Sequence, residues 1–350
     1  MAEAILNAHS GVEAENAPAI GQQRGAFNRR HVLDLDDFSR EEILKVLDTA
    51  EVMKEILRRP IKKVPTLRGK TVVTLFYEAS TRTRVSFEVA ARNLGADTVS
   101  VAASTSSVSK GESLVDTLCT LQSLGADAVV IRHSYSGAPY LAARILKGSV
   151  INAGDGWHAH PTQGLLDGYT IRAKLGGLDG RKVVILGDIL HSRVARSNIW
   201  ALTKLGAEVT VCGPATLMPS WFVESSLAND GEIMPGLRLS FNLDEAIEGA
   251  DVVMALRLQT ERMQAGLLPS TREYARMYQL TAERVRRAKP EALVMHPGPM
   301  NEGIEIAPDV AHGVQSVIEE QVANGVAIRM ALLYLLIGPN INLPVEVERR

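Results

Sequence analysis

Between Phe76 and Gly95 the sequence reads FYEASTRTRVSFEVAARNLG, and Ser80–Arg84 alternates hydroxyls with guanidiniums. An apolar run, Thr71–Phe76, gives way here to a helical pattern, so Arg82 and Arg84 fall in the first turn of the predicted helix. A helix N-terminus disfavours a cation by roughly 0.3–1 kcal/mol. A bound anion offsets that cost, because the unpaired backbone N–H groups of a first turn bind oxyanions. Ser80, Thr81 and Thr83 add donors, and Arg82 can fork two N–H groups onto a phosphate or carboxylate. The same chemistry recurs along the chain. Arg132 and His133 follow an apolar run ending at Ile131. NAGDGWHAHPTQ follows Ile151, GDILHSRVARS follows Leu186, RLQTER follows Leu256, and HPGPMNEG follows Met295. Arg82, Arg84, Arg132, Arg193, Arg257 and Arg262 face few carboxylates, which points to a cleft for several negative charges.

Positioning such residues requires strands that end at one rim. Strand candidates are Thr71–Phe76, Thr98–Val101, Ala128–Arg132, Val150–Asn152, Lys182–Leu186, Glu208–Cys212, Val252–Ala255 and Leu293–Met295, with helical segments between most of them. This alternation is the pattern of an α/β fold, parallel sheets with helices on both faces. In such sheets ligands bind outside the carboxyl ends of the strands. Phe38–Arg58 opens with a capping signature, Ser39 three residues before Glu42, and Leu44, Val46, Leu47 and Ile56 supply its apolar face. With 350 residues, two domains are expected. The character of the chain breaks at Gly154–Gln163, followed by a helix over Leu165–Gly177, so the first domain is set at 24–161 and the second at 162–317. A buried C-terminal helix, 318–338 with its most apolar part at Val326–Gly338, is expected to return to the first domain. Residues 1–23 read as a mobile extension and 339–350 as a polar tail.

Several classes are excluded. No GxxxxGK[ST] loop occurs, and LGDILHSR is not a GxGxxG turn, so nicotinamide binding is not expected. The net charge of -2 gives no general attraction to nucleic acid or anionic membranes. Val326–Gly338 is too short to span a bilayer and is interrupted by Arg329. Cys119 and Cys212 show no metal or disulfide spacing and are expected as buried, reduced thiols, which suits the cytoplasm. His158 and His160 lack further ligands at useful spacing, so no metal is expected, and His133 and His296 are read as structural hydrogen-bonders.

FYEASTRTRVSFE resembles the carbamoyl phosphate signature of the aspartate and ornithine transcarbamoylase family. The resemblance continues in order through SSVSKGESLVDT, IRH, NAGDGWHAHPTQGLLD, LGDILHSRVARS, RLQTER and MHPGPMNEGIEI, and covers about residues 24–338. The ornithine branch uses an HCLP motif and an SMG loop; here HPGP stands and SMG is absent, so the resemblance is to the aspartate branch.

The resemblance implies two Rossmann-like domains and a homotrimer with active sites shared between chains. It also implies transfer of the carbamoyl group of carbamoyl phosphate to the α-amine of L-aspartate, a step of pyrimidine (UMP) biosynthesis, without a cofactor. An ornithine or other amino-acid acceptor is the alternative. It assigns Ser80, Thr81, Arg82 and Thr83 to the phosphate, Arg132 to phosphate and carbonyl oxygen, and His160 to that oxygen. Gln163 and the carbonyls near Pro297 and Gly298 receive the carbamoyl NH2. Arg193, Arg257 and Gln259 bind aspartate, and Ser106 and Lys110 come from a neighbouring chain. Glu78 and Arg262 are linked to domain closure. Regulatory or dihydroorotase partner chains occur in the family. One departure is Glu302, where many members carry arginine, which places a change near the aspartate side.

Overall fold

A computed structural model of the chain describes residues 27–102, 111–259 and 266–339. Its strands are β1 (Thr71–Phe76), β2 (Asp97–Ala102), β3 (Ala128–His133), β4 (Ser149–Asp155), β5 (Lys182–Leu186), β6 (Glu208–Cys212), β7 (Glu232–Met234), β8 (Leu237–Ser240), β9 (Val252–Ala255) and β10 (Leu293–Met295). They form a four-stranded sheet ordered β2-β1-β3-β4 and a six-stranded sheet ordered β10-β9-β5-β6-β8-β7. Strands covered on both faces read as unbroken apolar runs. In β1, TVVTLF, every residue after Thr71 is buried.

The helices are α1 (Arg40–Arg58), α2 (Thr81–Asn93), α3 (Leu114–Ser123), α4 (Ala138–Ile145), α5 (Pro161–Leu175), α6 (Arg193–Lys204), α7 (Ser220–Ala228), α8 (Leu243–Ala246), α9 (Thr271–Tyr278), α10 (Ala282–Val285), α11 (Pro308–Ala311) and α12 (Ile318–Ile337). The α1 capping box is present: Ser39 Oγ accepts from the Glu42 N–H at 3.2 Å, and Glu42 Oε2 accepts from the Ser39 N–H at 2.9 Å. A cap of this kind contributes about 1 kcal/mol. Of its expected apolar face, Val46, Leu47 and Ile56 are buried, while Leu44 is only half-buried.

Four differences from the sequence reading have local causes. First, the six-stranded sheet is not wholly parallel, because β7 runs antiparallel to β8 at its edge. Neither strand is among the eight expected, since Glu232 and Arg238 break up their apolar runs and Pro235-Gly236 between them reads as loop. Second, α5 begins at Pro161 rather than Leu165. Proline at the first helical position has no N–H to lose and a φ already suited to the helix. Third, α12 fills the expected range as Ile318–Ile337, but at 20 residues it could by length and composition alone cross a membrane, which its Val326–Gly338 part could not; most of it is buried in protein. Fourth, Cys119 is exposed, one position off the buried face made by Leu118 and Leu121; Cys212 is buried.

One buried apolar cluster runs from Val72 and Phe76 through Leu165 and Tyr169 of α5 and Ile328 and Leu332 of α12 to Val183 and Ile185 of β5. Helix α12 packs against α1, α2 and α5. The strand order reverses direction between β1 and β3 in the first sheet and between β5 and β9 in the second. Crevices at such reversals are where doubly wound sheets take their ligands.

Candidate active site

Six strand exits meet at one cleft of about 820 Å³. Ser80, Thr81, Arg82 and Thr83 reach it from the start of α2, Arg132 from β3, His160 and Gln163 from the start of α5, and Arg193 from the start of α6. Arg257 and Gln259 arrive after β9, Pro297 and Gly298 after β10, and Glu78 after β1. Three helix N-termini therefore point positive dipole ends into the same space. Among the described residues, five arginines (Arg82, Arg132, Arg193, Arg257 and Arg329) and one carboxylate, Glu78, line it. Ser106, Lys110 and Arg262 lie outside the described residues. Arg84 does not line the cleft; it turns outward, 4.0 Å from Glu88 one turn on.

At the start of α2, Ser80 has extended backbone and its side chain makes no cap hydrogen bond. No carboxylate stands within salt-bridge range of Arg82 among the described residues. Burial and the neighbouring Arg257 charge both lower its pKa. Arg82 packs onto Gly298, whose φ is 63°, and a Cβ there would stand 2.7 Å from Arg82 Nη1. Glycine is favoured here by its backbone conformation, and any Cβ would also push the Arg82 guanidinium out of its place.

Arg132 sits where the β3–β4 register shifts between Ile131 and His133. Such irregularities re-aim side chains. Arg132 pairs with Phe76 across the β1–β3 ladder, two residues before Glu78. Glu78 Oε1 accepts from Arg132 at 2.5 Å and from Arg193 Nη2 at 2.7 Å, and Oε2 accepts from Arg193 Nη1 at 3.1 Å. The carboxylate follows the first sheet, whereas Arg193 opens α6 beside the second, so this cluster ties the two cleft walls together. Gly154, φ 116°, leaves room for it, since a Cβ there would lie 2.9 Å from the Arg193 guanidinium.

His160 is buried, and its Nδ1 makes no hydrogen bond. Burial, then the charges of Arg132, Arg193 and Arg329, hold its pKa well below the usual histidine value. The ring is a neutral donor or acceptor at neutral pH, not a cation. His158 faces elsewhere: it lies 3.2 Å from Asp155 and 3.3 Å from Asp34. Hydrogen bonds to those carboxylates raise its pKa to about 10. The folded state thus holds a proton that the unfolded state releases above pH 6.5, and the resulting stability is full below that pH and lost as pH rises toward 10. His158→Gln is expected to flatten the loss of stability between pH 7 and 10 in urea unfolding; an unchanged slope would contradict the pairing. His133 accepts from the Tyr135 N–H at 2.9 Å. His296 Nδ1 accepts from the Gly298 N–H at 2.8 Å, with Nε2 3.3 Å from Glu305. Glu302 is exposed, 3.3 Å from His312, and does not line the cleft.

The sequence reading missed Ser86, Gln321 and Arg329, which also line the cleft. Arg329 is buried on α12, donates to Ser86 Oγ at 2.8 Å and lies over the Phe87 ring. Burial lowers its pKa to about 10. A charge inside a run as apolar as VAIRMALLYLL was itself the available signal, because a buried guanidinium needs a reason.

Residues 30–173 match the family model for the carbamoyl-P binding domain of aspartate/ornithine carbamoyltransferase, and residues 179–336 match that for its Asp/Orn binding domain. The chain belongs to the aspartate/ornithine carbamoyltransferase family. Among its relatives is the aspartate carbamoyltransferase catalytic subunit of Roseiflexus sp. (strain RS-1), 65% identical over 311 residues, 89% of this chain and 96% of that one. The aspartate transcarbamoylase of Trypanosoma cruzi, solved with N-(phosphonacetyl)-L-aspartic acid, superposes with a TM-score of 0.78 at 32% identity, covering 88% of this chain and 96% of the other. The ornithine carbamoyltransferase of Pyrococcus furiosus gives 0.77 at 32%, covering 88% and 97%. Structural likeness thus spans both branches of the carbamoyltransferases, and the high identity is to an aspartate one. Membership in the family makes the chain an enzyme, a transferase, and agrees with the α/β architecture.

Proposed function

We propose that this carbamoyltransferase moves the carbamoyl group of carbamoyl phosphate to the α-amine of L-aspartate, giving N-carbamoyl-L-aspartate and phosphate, in pyrimidine biosynthesis in the cytoplasm. The observation that carries the reading is the cleft's composition among the described residues: five arginines, one carboxylate and a buried neutral histidine where six strands end. Two anionic substrates side by side use that excess of positive charge. The start of α2, with Arg82, holds the phosphate. Thr83, Arg132 and His160 donate to the carbonyl oxygen as attack by the amine makes it an oxyanion, each donor contributing roughly 3–4 kcal/mol to such a state. The neutral imidazole suits this role, since its N–H donates without adding a further buried charge. Gln163 and the carbonyls at Pro297 and Gly298 receive the carbamoyl NH2. Arg193, Arg257 and Gln259 bind the aspartate carboxylates. Phosphate leaves and can take the amine proton, so binding and alignment supply much of the rate.

In this reading the protein works as a homotrimer, and Ser106 and Lys110 complete a neighbour's site. Ornithine as acceptor would bring its ammonium toward Arg193 and Arg257, which disfavours it. Incubation of the purified chain with carbamoyl phosphate and each amino acid tests the acceptor. N-carbamoyl-aspartate formed in step with phosphate, and little or no citrulline, is expected; the reverse preference would overturn the reading.

A further inference from the structure

Beneath the cleft lies a carboxylate that belongs to none of the roles above. Asp167 on α5 is fully buried. Its Oδ1 accepts from Gln163 Nε2 at 3.0 Å and from Gln321 Nε2 at 2.7 Å, and its Oδ2 accepts from Asn198 Nδ2 at 2.8 Å. An ionised carboxylate only accepts, so each amide that meets it presents its NH2 and turns its oxygen away. For Gln163, which lines the cleft, the amide oxygen is then the group left for a ligand. For Gln321, the oxygen accepts from the His296 backbone N–H at 3.0 Å. His296 opens the segment that carries Pro297 and Gly298, and its own ring holds the Gly298 N–H. Two sets of acceptors on different walls, an amide oxygen from α5 and backbone carbonyls after β10, thus take their orientation from one buried carboxylate.

We infer that Asp167 is the positioning residue for the acceptor side of the cleft, and that it sets the preference for a reacting carbonyl bearing NH2 over one bearing CH3. The inference rests on the carbamoyl-transfer reading, in which these acceptors face the carbamoyl amine. Amino and methyl groups are nearly the same size, so steric fit cannot separate them. An acceptor facing a methyl group is left unpaired, and a site built to hydrogen-bond its ligand discriminates strongly against the analogue that lacks the donor. Asparagine at this position would offer one acceptor and one donor where three donors now converge, so at least one amide would have to turn. If Gln163 turns, its NH2 meets the substrate's NH2. Burial pushes the Asp167 carboxyl up to about 6, against the pull of its three amide donors and of Arg329, so it stays ionised at neutral pH. A buried charge is an unfavourable way to fill a helix position covered by protein when an apolar residue would pack there. Its service to two cleft acceptors accounts for its presence.

The test is calorimetric titration of the full chain with phosphonoacetamide and with acetonylphosphonate, its methyl counterpart. The unaltered protein is expected to prefer the amide. Asp167→Asn is expected to weaken amide binding by about 10–100-fold and methyl-analogue binding by less than about threefold on the same grounds, so the preference collapses. Gln321→Met keeps the carboxylate and its bond to Gln163 but removes one of its three donors and frees the 296–298 segment; a partial loss of preference, about tenfold, is expected. It also carries the test should Asp167→Asn not fold. Equal weakening of both ligands in either variant, or an undiminished preference, overturns the positioning role. Binding of neither phosphonate by the unaltered protein would instead overturn the carbamoyl-transfer reading.

Discussion

Replacing Arg132 by methionine is expected to lower kcat by about 10²–10³-fold. Methionine keeps much of the length and apolar bulk of the side chain, so packing changes little. What disappears is a guanidinium held in place from two directions: Nη1 donates to the Ala153 carbonyl at 3.2 Å and Nη2 to Glu78 at 2.5 Å. The register shift in β3 aims it at the cleft, beside the buried ring of His160. Charge on the reacting carbonyl oxygen grows only after the amine attacks, so a donor to that oxygen acts more on kcat than on the affinity for substrate. Initial rates at saturating carbamoyl phosphate and aspartate give the number. A fall of less than about fivefold would remove Arg132 from the reacting carbonyl, because one lost donor of this kind costs far more.

Glu78→Gln is expected to act on the second substrate. Glu78 now holds Arg132 and Arg193 together across the cleft. Glutamine retains the shape but has no charge and a single acceptor oxygen, so Arg193, itself nearly buried, loses its ionic tether. Removing one partner of a desolvated pair leaves the other charge uncompensated. With Arg193 no longer fixed, KM for aspartate is expected to rise about 10–100-fold, with kcat falling as the walls lose their link. Affinity for carbamoyl phosphate should not weaken, since removal of a negative charge makes the cleft more favourable to a phosphate. Titration with carbamoyl phosphate beside steady-state kinetics in aspartate separates the two. Equal weakening toward both substrates would argue against the tether.

Much of this site could be read from the sequence for a topological reason. In parallel sheets the ligand-facing residues directly follow the buried runs, so Arg132, His160, Arg193, Arg257 and the STRTR turn were marked by the apolar segments before them. The residues that escaped notice sit elsewhere. Asp167, Gln321 and Arg329 lie within helices that are mostly apolar, and helical periodicity alone cannot tell a polar group aimed at a cleft from one satisfied in the core. Their meaning depends on contacts of α12 with α5 and α2, more than 150 positions away for Asp167 and Gln321 and more than 240 for Arg329 and Ser86. The short strands β7, at the sheet's edge, and β8 beside it escaped because exposed Glu232 and Arg238 interrupt them, whereas the equally short β9 and β10 are unbroken apolar runs. His158 and His160 show the limit in the other direction. Two residues apart and superficially a pair, they end in opposite environments, one bound to two carboxylates and the other buried among arginines.

Charge in the cleft before substrate arrives is only partly compensated: Glu78 answers Arg132 and Arg193, and Arg82 has no described carboxylate beside it. Phosphonacetyl-L-aspartate, which joins a phosphonate to the two aspartate carboxylates, measures whether that remaining charge is arranged for the proposed substrates. The decisive measurement is a crystal structure of the chain with this compound bound. The phosphonate is expected on the first turn of α2, in contact with Arg82, and the carboxylates on Arg193 and Arg257. A phosphonate seated away from Ser80–Thr83, or carboxylates turned away from both of those arginines, would contradict the assignment of the cleft.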